Sequence, residues 1–360
     1  MNKNQRQLTV KEMLDSDGIK VSIYMPTHRA YPDNRKDPIV YKNILQEIEK
    51  SLSEKHPRRD WEELLARLYR LADDSDFWRH TTDSIGVLAN GNRAETFLLE
   101  QTLTPSFMLG FCFNLTPLFH LSDTVNRAYL ADISKDRFRM FTVSNNNIRE
   151  IDPPSIKSSF PELFDDYDNN STLRTGSYRG LGGAFHGQGG RARQAEVDRE
   201  KYFRYLDGSF QRIHDDTGLP MIIAGTEGTI AEFMKLAKGD FYFKDSITQP
   251  IESIEANDLQ SRLKTIMESY SKYRLESLST VISNKRNENK AVSEPAQILR
   301  FAEQGNIESL ILSSRKSEVH QDTITVAAEE TIRYGGTIIV MDDEEIGVTE
   351  KALALLRSSS

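Results

Sequence analysis

The segment that decides the fold class runs Leu219-Pro-Met-Ile-Ile-Ala-Gly-Thr-Glu-Gly-Thr-Ile-Ala-Glu-Phe-Met-Lys-Leu236. Its first part, Leu219–Ala224, is a short apolar run typical of a buried strand, and Ile230–Leu236 continues into a helix. Between them stands Glu227, a first-turn helix residue that the helix dipole favours. A strand followed directly by a helix is the repeating step of α/β domains, so we predict an α/β fold.

Upstream of this segment we predict a helix that starts near Gln194. Its buried stripe follows helical spacing: Phe203, Leu206, Phe210 and Ile213. Farther upstream, Arg127–Ile133 and Phe138–Val143 flank a short polar turn, which is typical of a hairpin. These elements define a central domain over residues 123–248.

Residues 249–360 repeat the alternation of helix and strand, and we predict an α/β/α sandwich for this C-terminal domain. The sequence places a cap at Ser293, before the helix Glu294–Glu303. The other predicted elements are a long helix that reaches about Ser283, strands at 309–313 and 337–341, and a helix at 322–334.

Residues 1–122 form a third region, an N-terminal α/β domain whose role the sequence leaves open. The predicted elements are a strand at 21–25, helices at 41–52 and 59–71, and a hairpin of 85–89 with 95–100. The polar loop Thr27–Asp37 carries Arg29, Arg35 and Lys36 and is a candidate RNA contact, although a solvated loop is the favoured interpretation.

The composition indicates a cytoplasmic, multidomain protein that has no membrane partner. The chain has 360 residues and a net charge of -8, which argues against nonspecific nucleic-acid binding over the whole surface. Its one cysteine, Cys112, excludes an internal disulfide and fits a reducing compartment. The sequence shows no signal peptide and no apolar run that approaches the length of a membrane span.

A Gly-rich loop at residues 176–193 reverses this charge locally. Seven of the 20 glycines lie in residues 176–190, and no Asp or Glu occurs from Asn169 through Ala195. The arginines of this stretch are Arg174, Arg179, Arg191 and Arg193. Because glycine permits close backbone approach and arginine donates to phosphate, the loop is suited to RNA or DNA. A disordered linker is the alternative interpretation.

The common phosphate loops and metal sites do not fit the sequence. Gly182 and Gly187 have the spacing of a Walker loop, but Gln188 follows where lysine is required. The dinucleotide pattern needs a preceding strand, which residues 173–186 do not supply. The histidines are isolated, and the acidic run Asp342–Glu345 has no calcium-loop spacing. We therefore expect no cofactor and no metal.

The second and third regions resemble the archaeo-eukaryotic peptide-chain release factor superfamily, which includes the ribosome-rescue factor Pelota. The features that carry this resemblance are the hairpin turn Ser134–Arg137, the loop 186–191, the helix 194–215, the strand 219–225, the stretch 302–313 and the terminal segment 353–357. The resemblance implies a C-terminal fold similar to kink-turn-binding ribosomal proteins. It also implies a strand at 353–357, where local propensity alone favours a helix.

In the family, a Gly-Gly-Gln tip positions water at the peptidyl-tRNA ester. Carried to this chain, the catalytic tip is Gly187-Gln188, and Gly189 and Gly190 follow it. The implied RNA contacts are His186, Gly189, Gly190, Arg191, Arg193, Arg179 and Arg174. However, His186 stands where the family has its first glycine, and the glycine pair follows the glutamine.

The resemblance implies a ribosome-associated translation factor of the release or rescue type. It either promotes peptidyl-tRNA hydrolysis or occupies stalled or idle ribosomes, and its partners are the ribosome, rRNA, tRNA and a partner GTPase. Two alternatives stay open at this point. One is a freestanding enzyme that acts on RNA or a phosphorylated small molecule through the same loop. The other is a non-catalytic module that binds RNA or protein.

Overall fold

The computed structural model describes residues 3–16, 18–56, 61–120, 127–144, 147–153, 156–157, 159, 189–314, 321–341 and 351–358. By its contacts the chain divides into two compact units. The first, which we call the terminal unit, comprises residues 1–125 and 271–360, and the second, the central unit, comprises residues 126–270. The domain boundaries expected near residues 122 and 248 stay a prediction.

The chain is a mixed α/β protein with several sheets, as the sequence predicted. The helices are α1 (Lys3–Leu14), α2 (Asp37–Lys55), α3 (Glu62–Ala72), α4 (Ser75–Arg79), α5 (Gly189–Thr217), α6 (Glu227–Leu236), α7 (Ala256–Asn287), α8 (Pro295–Glu303) and α9 (Gln321–Arg333). The strands are β1 (Lys20–Pro26), β2 (Ser84–Ala89), β3 (Ala94–Leu99), β4 (Ser106–Gly110), β5 (Arg127–Ile133), β6 (Phe138–Ser144), β7 (Asn147–Ile151), β8 (Met221–Ala224), β9 (Ala291–Val292), β10 (Ile307–Ser313), β11 (Thr337–Met341) and β12 (Ala352–Leu356).

The terminal unit begins with an antiparallel sheet of order β3-β2-β1-β4. The apolar sides of α2 and α3 cover one face of this sheet through Tyr41, Leu45 and Leu68. The predicted strand at 21–25, the helix at 41–52 and the hairpin are confirmed. Helix α1 and strand β4 were not predicted from the sequence.

A second sheet in the terminal unit has the order β11-β10-β12-β9. Strand β10 pairs parallel with β11 and antiparallel with β12. The segment that forms β12 is rich in Ala and Leu, which favour a helix in isolation. Here it lies between two strands and makes a buried ladder, so tertiary pairing overrides local propensity and confirms the strand that the resemblance implied.

The start of α8 corrects one sequence prediction. Glu294, not Ser293, is the N-cap, and its carboxylate accepts the backbone N–H groups of Ala296 and Gln297 at 3.2 and 2.8 Å. Because Pro295 disfavours the α conformation in the residue before it, Glu294 stays extended and the helix begins at the proline.

A buried ion pair links the two ends of the chain inside the terminal unit. Lys20 Nζ on β1 lies 2.9 Å from Glu329 Oε2 on α9, and each side chain is only 5% exposed. The other carboxylate oxygen accepts the backbone N–H of Phe113 at 2.6 Å. Burial, and then the charge of Glu329, raise the pKa of the neighbouring Cys112 thiol to about 11, so this thiol stays protonated near neutral pH.

The central unit contains a sheet of order β7-β6-β5-β8. Strands β5 and β6 form the predicted hairpin, and β8 pairs parallel with β5 in the register Tyr129↔Met221. Helices α5 and α6 pack on one face. The first half of α7 packs on the other through Leu259 and Leu263. The strand and helix expected from the opening segment are thus both present.

The turn between β8 and α6 needs glycine at residue 225. Gly225 has φ +147°, and a Cβ atom there would lie 2.4 Å from the carbonyl oxygen of Ile133. After it, the Thr226 side chain caps α6 by accepting the N–H of Thr229, and Glu227 begins the helix as expected. The tight turn therefore sets where α6 leaves the sheet.

We expect Gly225→Ala to lower the free energy of unfolding by at least about 2 kcal/mol, because it adds backbone strain and a clash with a carbonyl group. Gly208→Ala is the matched control. Gly208 lies inside α5 with open space around it, so alanine there should stabilise by about 0.5–1 kcal/mol. Urea unfolding followed by circular dichroism measures both. Equal effects of the two substitutions would contradict the role of the turn.

We also expect Glu329→Leu to destabilise the protein by about 3–5 kcal/mol, because it leaves the Lys20 ammonium group buried without a counter-charge. In the double variant Lys20→Met/Glu329→Leu no charge is left uncompensated, and most of the loss should be recovered. A double-mutant cycle by urea unfolding measures this coupling. Additive effects would show that the pair is not coupled in solution.

Candidate nucleic-acid interface

The structure describes only part of the predicted site. Gly189, Gly190, Arg191 and Arg193 lie in the first residues of α5, and only their backbone is described. The remaining site residues lie outside the described residues: Arg174, Arg179, His186, Gly187 and Gln188. Helix α5 begins at Gly189 rather than near Gln194, so the predicted tip is directly followed by the helix in the sequence.

An apolar face anchors the middle of α5 on the central sheet. Tyr202, Phe203, Leu206 and Phe210 are at most 1% exposed. The Phe210 ring lies 5.5 Å from the Phe138 ring, and the Phe203 ring lies 5.7 Å from the Phe233 ring, both edge-to-face. The predicted stripe is confirmed at Phe203, Leu206 and Phe210, whereas Tyr202 was missed. This anchor fixes the direction of α5.

The part of α5 before this anchor is a polar stalk. The side chains of residues 196–201 are exposed or half-buried. Arg199 reaches α6 and pairs with Glu232 at 2.8 Å. Glu200 lies 3.7 Å from Arg204. At 1.5 Å per residue, the rise from Gly189 to Tyr202 is roughly 20 Å. The first residue of α5, which follows the predicted tip in the sequence, therefore lies well away from the apolar anchor.

The far side of α5 is tied to the segment that follows α6. Asp207 accepts the backbone N–H of Lys238 at 3.1 Å and the Tyr242 hydroxyl at 2.7 Å. Burial, together with the bond to Asp207, raises the pKa of the Tyr242 phenol. His214 stacks on the Phe241 ring at 4.7 Å and bonds the carbonyl group of Leu219. These contacts give His214 a structural role.

The start of α5 has the electrostatic character of an anion contact. The first N–H groups of a helix have no partner within the helix, and the helix dipole places partial positive charge there. Phosphate groups are therefore favoured at such an end. The arginines at 191 and 193 add formal positive charge to the same turns. These features favour phosphate at the start of α5, and phosphate binding there stays a prediction.

The second candidate, the loop Thr27–Asp37, is less basic than its sequence suggests. Arg29 Nε lies 2.7 Å from Asp83, and its guanidinium group also contacts Glu100. The hydrogen bond that Arg29 donates to the Asp83 carboxylate is the main cause of the raised pKa of the Arg29 guanidinium group. Lys36 Nζ lies 3.1 Å from Asp33. These cations are thus already paired with carboxylates.

Two contacts in this loop were not predicted from the sequence. The guanidinium group of Arg35 lies over the ring of Tyr31, at 4.7 Å from the centroid. The His28 imidazole Nδ1 lies 2.7 Å from the buried carboxylate of Asp37. The sequence signal for the Tyr31–Arg35 contact was a tyrosine inside a polar loop, four residues before an arginine. The His28–Asp37 contact joins residues that lie too far apart in sequence for a periodic pattern to predict it.

No group of three or more His, Cys, Asp or Glu side chains among the described residues is arranged to hold a metal ion. In the same part of the chain, no helix combines the length and the apolar character needed to cross a membrane. The acidic run at 342–345 lies outside the described residues.

Comparison with known proteins gives one family match. Residues 125–275 match the bacterial archaeo-eukaryotic release factor family 8. This segment includes the whole central sheet, α5 and the Gly-rich loop. No curated protein matches the chain.

Solved structures of translation-related factors are similar to this chain at low sequence identity. The archaeal translation termination factor aRF1 is 12% identical, with 99% of each chain covered and a TM-score of 0.25. A chain of the structure described as ribosome-bound archaeal Pelota and ABCE1 is 14% identical over 74% of this chain and 72% of that one, with a TM-score of 0.41. S. cerevisiae Dom34, described as a translation termination-like factor, is 12% identical over 75% and 74%, with a TM-score of 0.37.

All of these TM-scores are below 0.5, so the superpositions are loose and the family match is the stronger finding. That match covers the hairpin, the Gly-rich loop and the anchored helix on which the resemblance rested. Over residues 125–275, the chain is therefore similar to the bacterial members of the archaeo-eukaryotic peptide-chain release factor superfamily, as the resemblance implied, and this match supports a translation-related factor.

Proposed function

We propose that this protein is a ribosome-associated factor of the release or rescue type, which brings Gly187-Gln188 to the peptidyl-transferase centre. The observation that carries the proposal is the family match over residues 125–275, because it encloses the acid-free loop and the helix that follows it. Ribosome binding, stated in the description of the archaeal Pelota complex, is extended here to this chain. A partner GTPase and a cytoplasmic location belong to the same proposal.

The stalk geometry of α5 supports delivery of a narrow tip. Its aromatic anchor begins at Tyr202, and Gly189 lies roughly 20 Å farther along the helix axis. Gln188 directly precedes that first helical residue in the sequence. A crowded RNA cavity admits glycine-rich backbone more readily than large side chains. The anchored helix would limit the conformational freedom that the tip loses on binding.

The charge distribution supports an RNA partner for this end of the protein. The chain as a whole has a net charge of -8, whereas residues 169–195 contain four arginines and no Asp or Glu. In the proposal Arg174, Arg179, Arg191 and Arg193 contact rRNA or tRNA phosphates, with His186, Gly189 and Gly190 beside them. The acidic remainder would limit binding elsewhere on nucleic acid.

The tip needs to perform only one chemical task, which is to position a water molecule. Hydrolysis of peptidyl-tRNA needs a water molecule held in line with the ester carbonyl group, and the ribosome surrounds that site. Gln188 can hold the water through its side-chain amide, and the backbone of Gly187 can approach closely.

His186 replaces a glycine at the preceding position. If φ > 0 is needed there, a side chain is unfavourable, although histidine tolerates such φ better than most residues. Occupancy of stalled or idle ribosomes is the second version of the proposal.

We expect the purified protein to pellet with ribosomes at low salt and to be released as salt rises. Four arginine–phosphate contacts predict a log-log slope of about -3 on single-stranded RNA. The double variant Arg191→Gln/Arg193→Gln should weaken binding and reduce the slope by about half. The matched control, Arg204→Gln/Arg212→Gln, removes the same charge from the anchored part of α5 and should bind as the wild type does. No pelleting with translating, stalled or vacant ribosomes would contradict the proposal.

We expect Gln188→Ala to slow peptide release from ribosomes loaded with peptidyl-tRNA by about 100-fold, without change in pelleting, because it removes the group that holds the water. His186→Gly should raise the rate, because it restores the first glycine of the family pattern. Release that is present in the wild type and unchanged in Gln188→Ala would show that the glutamine is not catalytic. No release by either the wild type or His186→Gly would favour occupancy.

A further inference from the structure

The loop Thr27–Asp37 in the terminal unit is a compact element closed at its base. Asp37 is buried, with 2% of its side chain exposed, and its two oxygens accept the His28 backbone N–H at 2.8 Å and bond its Nδ1 at 2.7 Å. The carbonyl group of His28 accepts the Thr81 hydroxyl at 3.3 Å. Inside the loop, the Asn34 N–H donates to the carbonyl group of Ala30 at 3.2 Å. These bonds hold the two ends of the loop together and order its tip.

The tip presents an exposed tyrosine–arginine pair. Tyr31 is 68% exposed, and the Arg35 guanidinium group lies over its ring at 4.7 Å from the centroid. Ile39, four residues after Arg35, is 61% exposed. Two large hydrophobic side chains are thus exposed within one short segment. A stacked tyrosine–arginine pair is a preformed platform, because both groups are planar and neither is buried.

The charges around this platform favour stacking over phosphate attraction. Arg29 is paired with Asp83 and Glu100, and Lys36 is paired with Asp33. The carboxylate of Asp37 faces His28 at the loop base. The loop therefore has little net positive charge to offer to a polyanion. An RNA strand that binds here would gain mainly from base stacking rather than from phosphate contacts, which are the part of binding that salt weakens.

We propose that Tyr31 and Arg35 form a stacking platform for an unpaired base of single-stranded RNA, held in place by the His28–Asp37 closure. Unpaired bases stack on exposed aromatic rings and on guanidinium planes whatever their sequence. Tyr31 and Arg35 are the contact residues, and His28 and Asp37 are positioning residues. The inference does not require the Gly187-Gln188 tip, so it goes beyond the function proposed above.

The test is binding of the full chain to a short fluorescein-labelled oligouridylate, measured by fluorescence anisotropy at low and at high potassium chloride. High salt suppresses the arginine–phosphate contribution of the Gly-rich loop. Under that condition we expect Tyr31→Ala to weaken binding by about 5- to 150-fold, which is the range for loss of one stacked base. The matched control, Tyr31→Phe, keeps the ring and should stay within about twofold of the wild type.

A substitution at Asp37 tests the His28–Asp37 closure separately from the Tyr31–Arg35 platform. Asp37→Asn keeps an oxygen acceptor but removes the charge, and it should reduce binding less than Tyr31→Ala does. Equal affinity of the wild type and Tyr31→Ala at high salt would overturn the proposal, as would failure of the wild type to bind the oligonucleotide. A loss with Tyr31→Ala in a protein that does not pellet with ribosomes would sustain this inference and contradict only the ribosome proposal.

Discussion

The packing of four side chains of α5 against the central sheet is the interaction on which the functional arrangement depends. Tyr202, Phe203, Leu206 and Phe210 are buried, and Phe138 and Phe233 meet them edge-to-face. Burial of one large aromatic side chain contributes about 1.5–3 kcal/mol, so this face holds the helix firmly. Because a helix is stiff over a few turns, an anchor at its middle also sets the direction of its first residue. Sheet, anchor and stalk thus act as one support for the residues that precede Gly189.

Charged side chains have different roles in different parts of the molecule. In the terminal unit, the Lys20–Glu329 pair is buried and fixes β1 to α9, two elements from opposite ends of the chain. On α5, Arg199 and Arg204 are paired with carboxylates, whereas residues 169–195, which precede Glu196, contain no acid. At the loop of residues 27–37, cations are again paired, and a tyrosine–arginine stack is the feature left exposed. In the two proposals, the candidate RNA contacts therefore differ in kind: one would depend on charge and the other on stacking.

Local periodicity was sufficient for much of the fold. The strand and helix of residues 219–236, the hairpin of β5 with β6 and the stripe of α5 followed from alternation and helical spacing, because each buries one regular face. Strand β12 could be expected from the family resemblance but not from its own propensities, since pairing with β10 and β9 decides its state. The cap at Glu294 and the early start of α5 depend on backbone geometry at one or two residues. The Tyr31–Arg35 stack and the His28–Asp37 closure depend on the path of a loop, which no periodic pattern encodes.

In the proposed function, the residue before α5 reaches the peptidyl-transferase centre. The chain has one cysteine, and the raised pKa of Cys112 makes it a poor thiol reagent target near neutral pH. With Cys112→Ser as background, Gln188→Cys gives a single attachment point for an iron chelate that produces hydroxyl radicals. On bound ribosomes, we expect rRNA cleavage concentrated at the peptidyl-transferase centre. Cleavage confined to other regions of the ribosome, with the protein bound, would contradict it.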